Sequence, residues 1–401
     1  MREPAGRFLT ACIAAVDGRE LTPDVLPGSR AGWKRALRLA ASLALGPLVY
    51  DRLRRMPTSP SVPAPVWRRL QLLFHSSGLR MARFRAELGR VLRALRRVDV
   101  PVIALKGAAF AEAVWGNLAV RPMGDVDLMV PDEELVSAQE VLVGLGYVPI
   151  RTRRSPGWYR DRHHHLVPLH DPATGVVVEI HRNIAAPSDS FELDAREFWR
   201  RARAQAVAGV EVLALSPADT VIHLCLHTAA DDPFVGKARS VADLVQIIGD
   251  EGHPLAWDEI AERSVQYGIA RFVHYVLDYV AADYGAVIPA RATRAIRAAA
   301  AVDPLSDRLL RWMIPLCVFR DEARDRLVAN WRLRRASEAL LRGEGALGRM
   351  AALLEWPDRD IPLRPVVWLG TLSRTALGLL AGGMRALCPP RESSGDRGTA
   401  H

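Results

Sequence analysis

The 401 residues carry 54 basic against 45 acidic side chains, a formal net charge of +9, and are 49% apolar, the make-up of a globular chain with room for two or three cored domains. Only Lys34, Lys106 and Lys237 are lysines, so the excess is arginine; with abundant Ala, Gly and Pro this bias points to a GC-rich genome, and a nucleic-acid footprint is discounted. No run of about 18 apolar residues marks a membrane span, Val366 to Gly383 being broken by Ser373, Arg374 and glycines, and the scattered Cys12, Cys225, Cys317 and Cys388 fit a reducing, cytoplasmic setting.

Phe8 to Val16 is briefly apolar behind Arg2 and Arg7 but runs into Asp17-Gly18-Arg19-Glu20 without a cleavage site, and is read as a helix. Apolar residues at three- and four-residue spacing predict helices over Gly32–Leu53 and Val66–Arg97, separated by the Pro-rich stretch Met56–Pro65. Residues 1–98 are therefore an N-terminal helical region that leads directly into the next unit. There, Pro101-Val102-Ile103-Ala104-Leu105 reads as a buried strand, Lys106-Gly107 as a turn, and Ala108–Trp115 as a helix stopped by Gly116-Asn117. A Gly turn ahead of a helix N-terminus suits an anion, because free N–H groups and the helix dipole both favour negative charge.

Asp125-Val126-Asp127-Leu128-Met129-Val130 reads as the next strand. Residues i and i+2 of a strand share a face, so Asp125 and Asp127 converge while Val126, Leu128 and Val130 enter the core. Two adjacent carboxylates repel unless a cation lies between them, and Mg²⁺ is the natural one beside phosphates. Arg121, four residues upstream, is placed to bind phosphate or to pair with either aspartate. Asp132–Gly144 is a helix with an acidic first turn, Tyr147–Arg151 a strand, and the polar, basic residues 152–162 a loop. His164–Leu169 and Val176–His181 form a hairpin around Asp171-Pro172-Ala173-Thr174-Gly175. On its second strand Val176, Val178 and Ile180 face one way; Val177, Glu179 and His181 face the other. A Glu inside so apolar a strand calls for a partner or a metal. His163-His164-His165, with His170, lacks Cys partners, and strand alternation would point its members to opposite faces. The reading preferred is therefore a histidine lining of the acceptor side of the cleft, not zinc.

Leu105-Lys106-Gly107, Arg121, Asp125-Val126-Asp127, Gly146-Tyr147 and Val178-Glu179-Ile180-His181, in that order, resemble the nucleotidyltransferase superfamily of the DNA polymerase β type. The resemblance is closest to its uncharacterised bacterial members that carry Lys-Gly where most carry Gly-Ser, and it covers roughly residues 75 to 250. It implies an α+β fold, a mixed sheet with flanking helical regions. It also implies a Mg²⁺-dependent transfer of a nucleoside monophosphate from an NTP to an acceptor hydroxyl. By that resemblance Asp125, Asp127 and Glu179 hold two Mg²⁺ ions, Glu179 being the third carboxylate. Lys106, Gly107, Arg121 and His181 would lie at the nucleotide. The acceptor, whether small molecule, peptide or protein, is left open, and nucleic acid is disfavoured. Lys-Gly in place of Gly-Ser keeps a second reading in play: a catalytically inactive nucleotide- or partner-binding accessory protein of a biosynthetic cluster.

Residues 99–215 are thus the α/β domain, with Glu211–Leu215 a short further strand. Ser216-Pro217 starts a helix, with Ser as cap and Pro in the first turn. His223 and His227 share a face of that helix and, with Lys237 and Asp243, are read as a polar cluster toward the cleft. Residues 216–388 are a C-terminal helical domain, with helices through roughly residue 386, and 389–401 a disordered tail.

Overall fold

The computed structural model describes residues 4–16, 20–57, 61–188, 190–230, 233–250, 252–319 and 337–342. The expectations of helices up to residue 386 and of a disordered tail over 389–401 lie, beyond residue 342, outside these residues. Four helices come first: α1 (Pro4–Ala14), α2 (Arg30–Ser42), α3 (Gly46–Arg54) and α4 (Ala64–Arg97). The central region runs β1 (Ile103–Ala104), α5 (Lys106–Ala113), β2 (Val126–Met129), α6 (Leu135–Gly144), β3 (Val148–Pro149), α7 (Pro156–Arg162), β4 (Leu169–His170), β5 (Val177–His181), α8 (Ala195–Arg201), β6 (Arg203–Val207) and β7 (Val210–Ala214). The helices α9 (Pro217–Ala229), α10 (Ala238–Ile248), α11 (Trp257–Gln266), α12 (Ala270–Tyr284), α13 (Ala290–Ala299) and α14 (Pro304–Val318) follow.

The seven strands form one mixed sheet in the order β3-β4-β5-β2-β1-β7-β6. β2 lies antiparallel to β1 and parallel to β5, and β1 lies parallel to β7. This is an α+β architecture. All four residues of β2 are buried, as a central strand covered on both faces requires. The turn before β5 forms at the residues expected: Asp171 N donates to Val176 O, Gly175 N to Asp171 O, and Gly175 takes φ +71°, which Gly adopts without strain.

Two segments depart from the sequence reading. Residues 156–162 are helical, not loop, because Ser155 accepts from Trp158 N and Pro156 opens the first turn. The strand expected over His164–Leu169 shrinks to β4, and His163–His165 sit in the bend that follows α7, with only His165 bridging to His181. The hairpin of β6 and β7, turned by Ala208 and Gly209 with positive φ, was half seen: the Arg-Ala-Gln composition of β6 carries no strand signal.

The flanking helices close on the sheet. On α4, Glu87 accepts from Tyr147 Oη at 2.7 Å, while Arg90 pairs with Glu87 and reaches Leu145 O and Asp171. Buried Asp219 on α9 pairs with Arg201 at 2.9 Å and Arg263 at 3.1 Å. Arg52 donates to Gln246 on α10, joining the first helices to the last group. One apolar core runs through all of them.

Candidate active site

β2 and β5 run parallel with Asp127 opposite Glu179. Register partners on adjacent strands share a face, so the two carboxylates stand side by side. Asp125 lies one residue ahead of β2, at the open end, where it lines the cleft. The three carboxylates proposed from sequence are therefore drawn together, two on the sheet and one at its lip.

Asp127 is only 3% exposed, and its ionised form needs partners. Lys106 Nζ lies 3.1 Å and His181 Nε2 2.9 Å from its Oδ1. Burial alone would raise the Asp127 carboxyl, but the Lys106 ammonium and the His181 hydrogen bond outweigh it and hold it well below the usual carboxylate range. Glu179 behaves alike: burial pushes it up, the His181 bond and His165 pull it down, and the net is a lowered value. At Asp125 the balance tips the other way, and Lys106 and Arg239 pull down less than its surroundings push up. Desolvation by the cleft walls, then the like charges of Asp127 and Glu179, push it up to about 6. That tension is what a bound cation relieves, and the oxygen-rich trio suits a hard divalent ion. His181 is fully buried; burial opposes its charge, yet the bonds to Asp127 and Glu179 raise it above the ordinary imidazole value.

The turn ahead of α5 is built differently from the sequence reading. The left-handed residue is Lys106, at φ +42°, not Gly107. Gly107 is needed for space: a Cβ there would stand 2.8 Å from Met123 Cγ and 3.0 Å from Arg121 Nη1. A non-glycine residue in this region costs about 1–3 kcal/mol, strain of the kind stored at working sites. No side chain caps α5.

Lys106, Gly107, Arg121, Asp125 and Asp127 line one cavity of about 490 Å³, together with His227, Lys237 and Arg239. Arg121 is held by neither aspartate of β2. Its Nη2 pairs with Asp243 of α10 at 2.6 Å, its Nε donates to the same carboxylate, and Trp115 Nε1 donates to Asp243 at 2.8 Å. Asp243 is thus buried beneath the cleft rather than facing it, whereas Lys237 and His227 do line it. His223 is buried with neither ring nitrogen hydrogen-bonded; burial, then Lys106 and His227, lower it well below the imidazole range. Arg239 escaped sequence reasoning, being one arginine among many. Burial and then neighbouring Arg121 lower it from its ordinary value, and its Nη1 donates to Pro122 O at 2.9 Å.

Residues 29–285, well over half the chain, match the family described as uncharacterised nucleotidyltransferase, and the chain belongs to that family. No curated protein and no solved structure matches it. Among the described residues, Asp127, Glu179 and His181 form one group able to hold a metal ion, and His163, His164 and His165 another. No helix among them is long and apolar enough to cross a membrane.

Proposed function

We propose that this chain is a Mg²⁺-dependent nucleotidyltransferase with a polymerase β-type core, moving a nucleoside monophosphate from an NTP to an acceptor hydroxyl. The observation that carries the reading is the register of Asp127 with Glu179, where Asp127 and Asp125 line a cavity that also presents Lys106, Lys237 and Arg239. Asp125, Asp127 and Glu179 would hold Mg²⁺, two ions by the superfamily resemblance, which supplies charge neutralisation at the reacting phosphate.

The chain's own groups do the rest. Lys106, Lys237, Arg239 and the uncapped start of α5 bind the triphosphate. Gly107 leaves room for Arg121, which, fixed by Asp243, lines the triphosphate's seat. Glu179, ionised at neutral pH, accepts the acceptor's hydroxyl proton as that oxygen bonds to the α-phosphorus and pyrophosphate leaves. His181 orients Asp127 and Glu179 by hydrogen bonds to both. Division at residues 98 and 215 would make the central region the catalytic unit, with the helical regions walling its cleft.

Calorimetric titration of ATP, GTP, CTP and UTP, with and without Mg²⁺, tests this on wild type and Asp127→Asn. Micromolar, Mg²⁺-dependent binding of a nucleotide that the variant loses is the expected result. Absence of binding for all four would remove the assignment. A second reading, nucleotide binding without turnover, draws on the Lys106–Asp127 ion pair, which places an ammonium on the carboxylate that a metal would use. Binding without release of pyrophosphate across a panel of acceptors would select it.

A further inference from the structure

Four of the chain's 11 histidines meet at the far side of Glu179. The rings of His163 and His164 stack at 4.5 Å, those of His163 and His165 lie 4.1 Å apart, and His164 and His165 each lie within 5.2 Å of the His181 ring. The bend after α7 breaks strand alternation, so three consecutive imidazoles converge where a strand would have scattered them. One ring nitrogen from each of His163, His164 and His165 lies within 4.8 Å of the others. His165 Nδ1 donates to Leu166 O at 2.6 Å, which leaves Nε2 as the lone-pair nitrogen, 3.7 Å from Glu179 Oε2. A ring N–H fixed on a carbonyl is how proteins orient a metal-binding histidine.

We propose that His163, His164 and His165 bind a divalent transition-metal ion of the Zn²⁺ class, with Glu179 in reach as a further donor. This site adjoins the oxygen site, Glu179 lying between them, and its filling does not depend on nucleotidyl transfer. Imidazole donors suit Zn²⁺, Co²⁺ and Ni²⁺, whereas Mg²⁺ prefers oxygen, so the two groups differ in the metal they take. Tetrahedral coordination at about 2.1 Å would put ligand nitrogens about 3.4 Å apart, within the 4.8 Å limit inside which one nitrogen of each ring already lies. His163 and His164 also line a second cavity of about 560 Å³, with Asp132, Arg182 and Asn183 at its wall. An ion held by the three rings would lie beside that cavity and would supply Lewis acidity to a group bound there.

The test is calorimetric titration of Zn²⁺ alone, with Mg²⁺ in excess, into metal-stripped full-length protein and three variants: His163→Gln, His165→Gln and Asp127→Asn. Circular dichroism melts establish that each variant is folded. Wild type and Asp127→Asn should bind one Zn²⁺, and each Gln variant should weaken it by more than about 100-fold, beyond the loss typical of an outer-sphere partner. Cobalt gives a second readout: intense visible absorption, marking tetrahedral nitrogen ligation, in wild type and Asp127→Asn only. Failure of wild type to bind Zn²⁺ over Mg²⁺ overturns the proposal, as does unchanged affinity in the Gln variants. Loss in Asp127→Asn alone would assign the ion to the carboxylates and also overturn it.

Discussion

Asp125 and Asp127 stand two positions apart and are held in opposite electrostatic states. Asp127 is satisfied by Lys106 and His181; Asp125 is crowded by charges of its own sign, and its carboxyl is pushed from 3.8 up to about 6. A carboxyl raised on folding contributes stability that is fully present below its unfolded value and lost as pH rises through its folded value. The metal-free protein should therefore lose stability from this group between about pH 4 and pH 6. Asp125→Asn mimics the protonated state and should melt higher than wild type in EDTA above pH 6, with the difference fading toward pH 4. Saturating Mg²⁺ should reverse the order. Thermal melts of both proteins across that range decide it: an Asp125→Asn melting point at or below wild type in chelator throughout would remove the charge-crowding account. Much of this was legible in the sequence, because an i, i+2 pair of aspartates converges on any strand. The positive φ of Lys106 was not, since Lys-Gly reads as a turn whose freedom belongs to the glycine, while here the glycine makes room for Met123 and Arg121.

Elements set the register that single residues cannot. Glu179 is placed by the β2–β5 pairing, and its alternation with Val178 and Ile180 made its facing readable, but which residue of β2 it would adjoin depends on a pairing between positions 127 and 179, far apart in the chain. The partner of Arg121 was hidden for the same reason: Asp243 lies on α10, and nothing local links them. That link joins the loop before β2 to the last helical group. Asp243→Ala would leave the guanidinium buried and uncompensated, at a cost of about 3–5 kcal/mol. Arg121→Met with Asp243→Leu should recover most of that stability, because a buried ion pair replaced by apolar side chains is often neutral or better, while nucleotide binding stays impaired. Denaturant unfolding of the single and double variants checks this. A single variant within about 1 kcal/mol of wild type, on the scale of exposed pairs, would show the pair to be dispensable.

Across the whole molecule the chain order suggests three units, but the packing joins them. The family match begins at residue 29 and ends at 285, taking in α2 to α4 before the sheet and α9 to α12 after it. Tyr147, 1% exposed, owes its hydroxyl partner to Glu87 on α4, and Val207 and Ala208 at the far edge are buried in the same core that holds Leu88, Val91 and Leu92. Removal of residues 1–98 would uncover that face of the sheet and strand buried polar groups such as Asp171 without Arg90. An apolar face of this kind does not stay folded in water without its cover. The fragment from residue 99 onward should accordingly be insoluble or lack near-ultraviolet dichroism, and the intact chain should unfold in one calorimetric transition whose van't Hoff and calorimetric enthalpies agree. Two separated transitions, or a soluble 99–401 fragment with native near-ultraviolet signal, would show that the central α/β unit folds without its helices. The cleft would then be assembled by docking of preformed parts, whereas a shared core makes the cavity walls, including Lys237 and Arg239 from α10 and its approach, form in the same event as the carboxylate register.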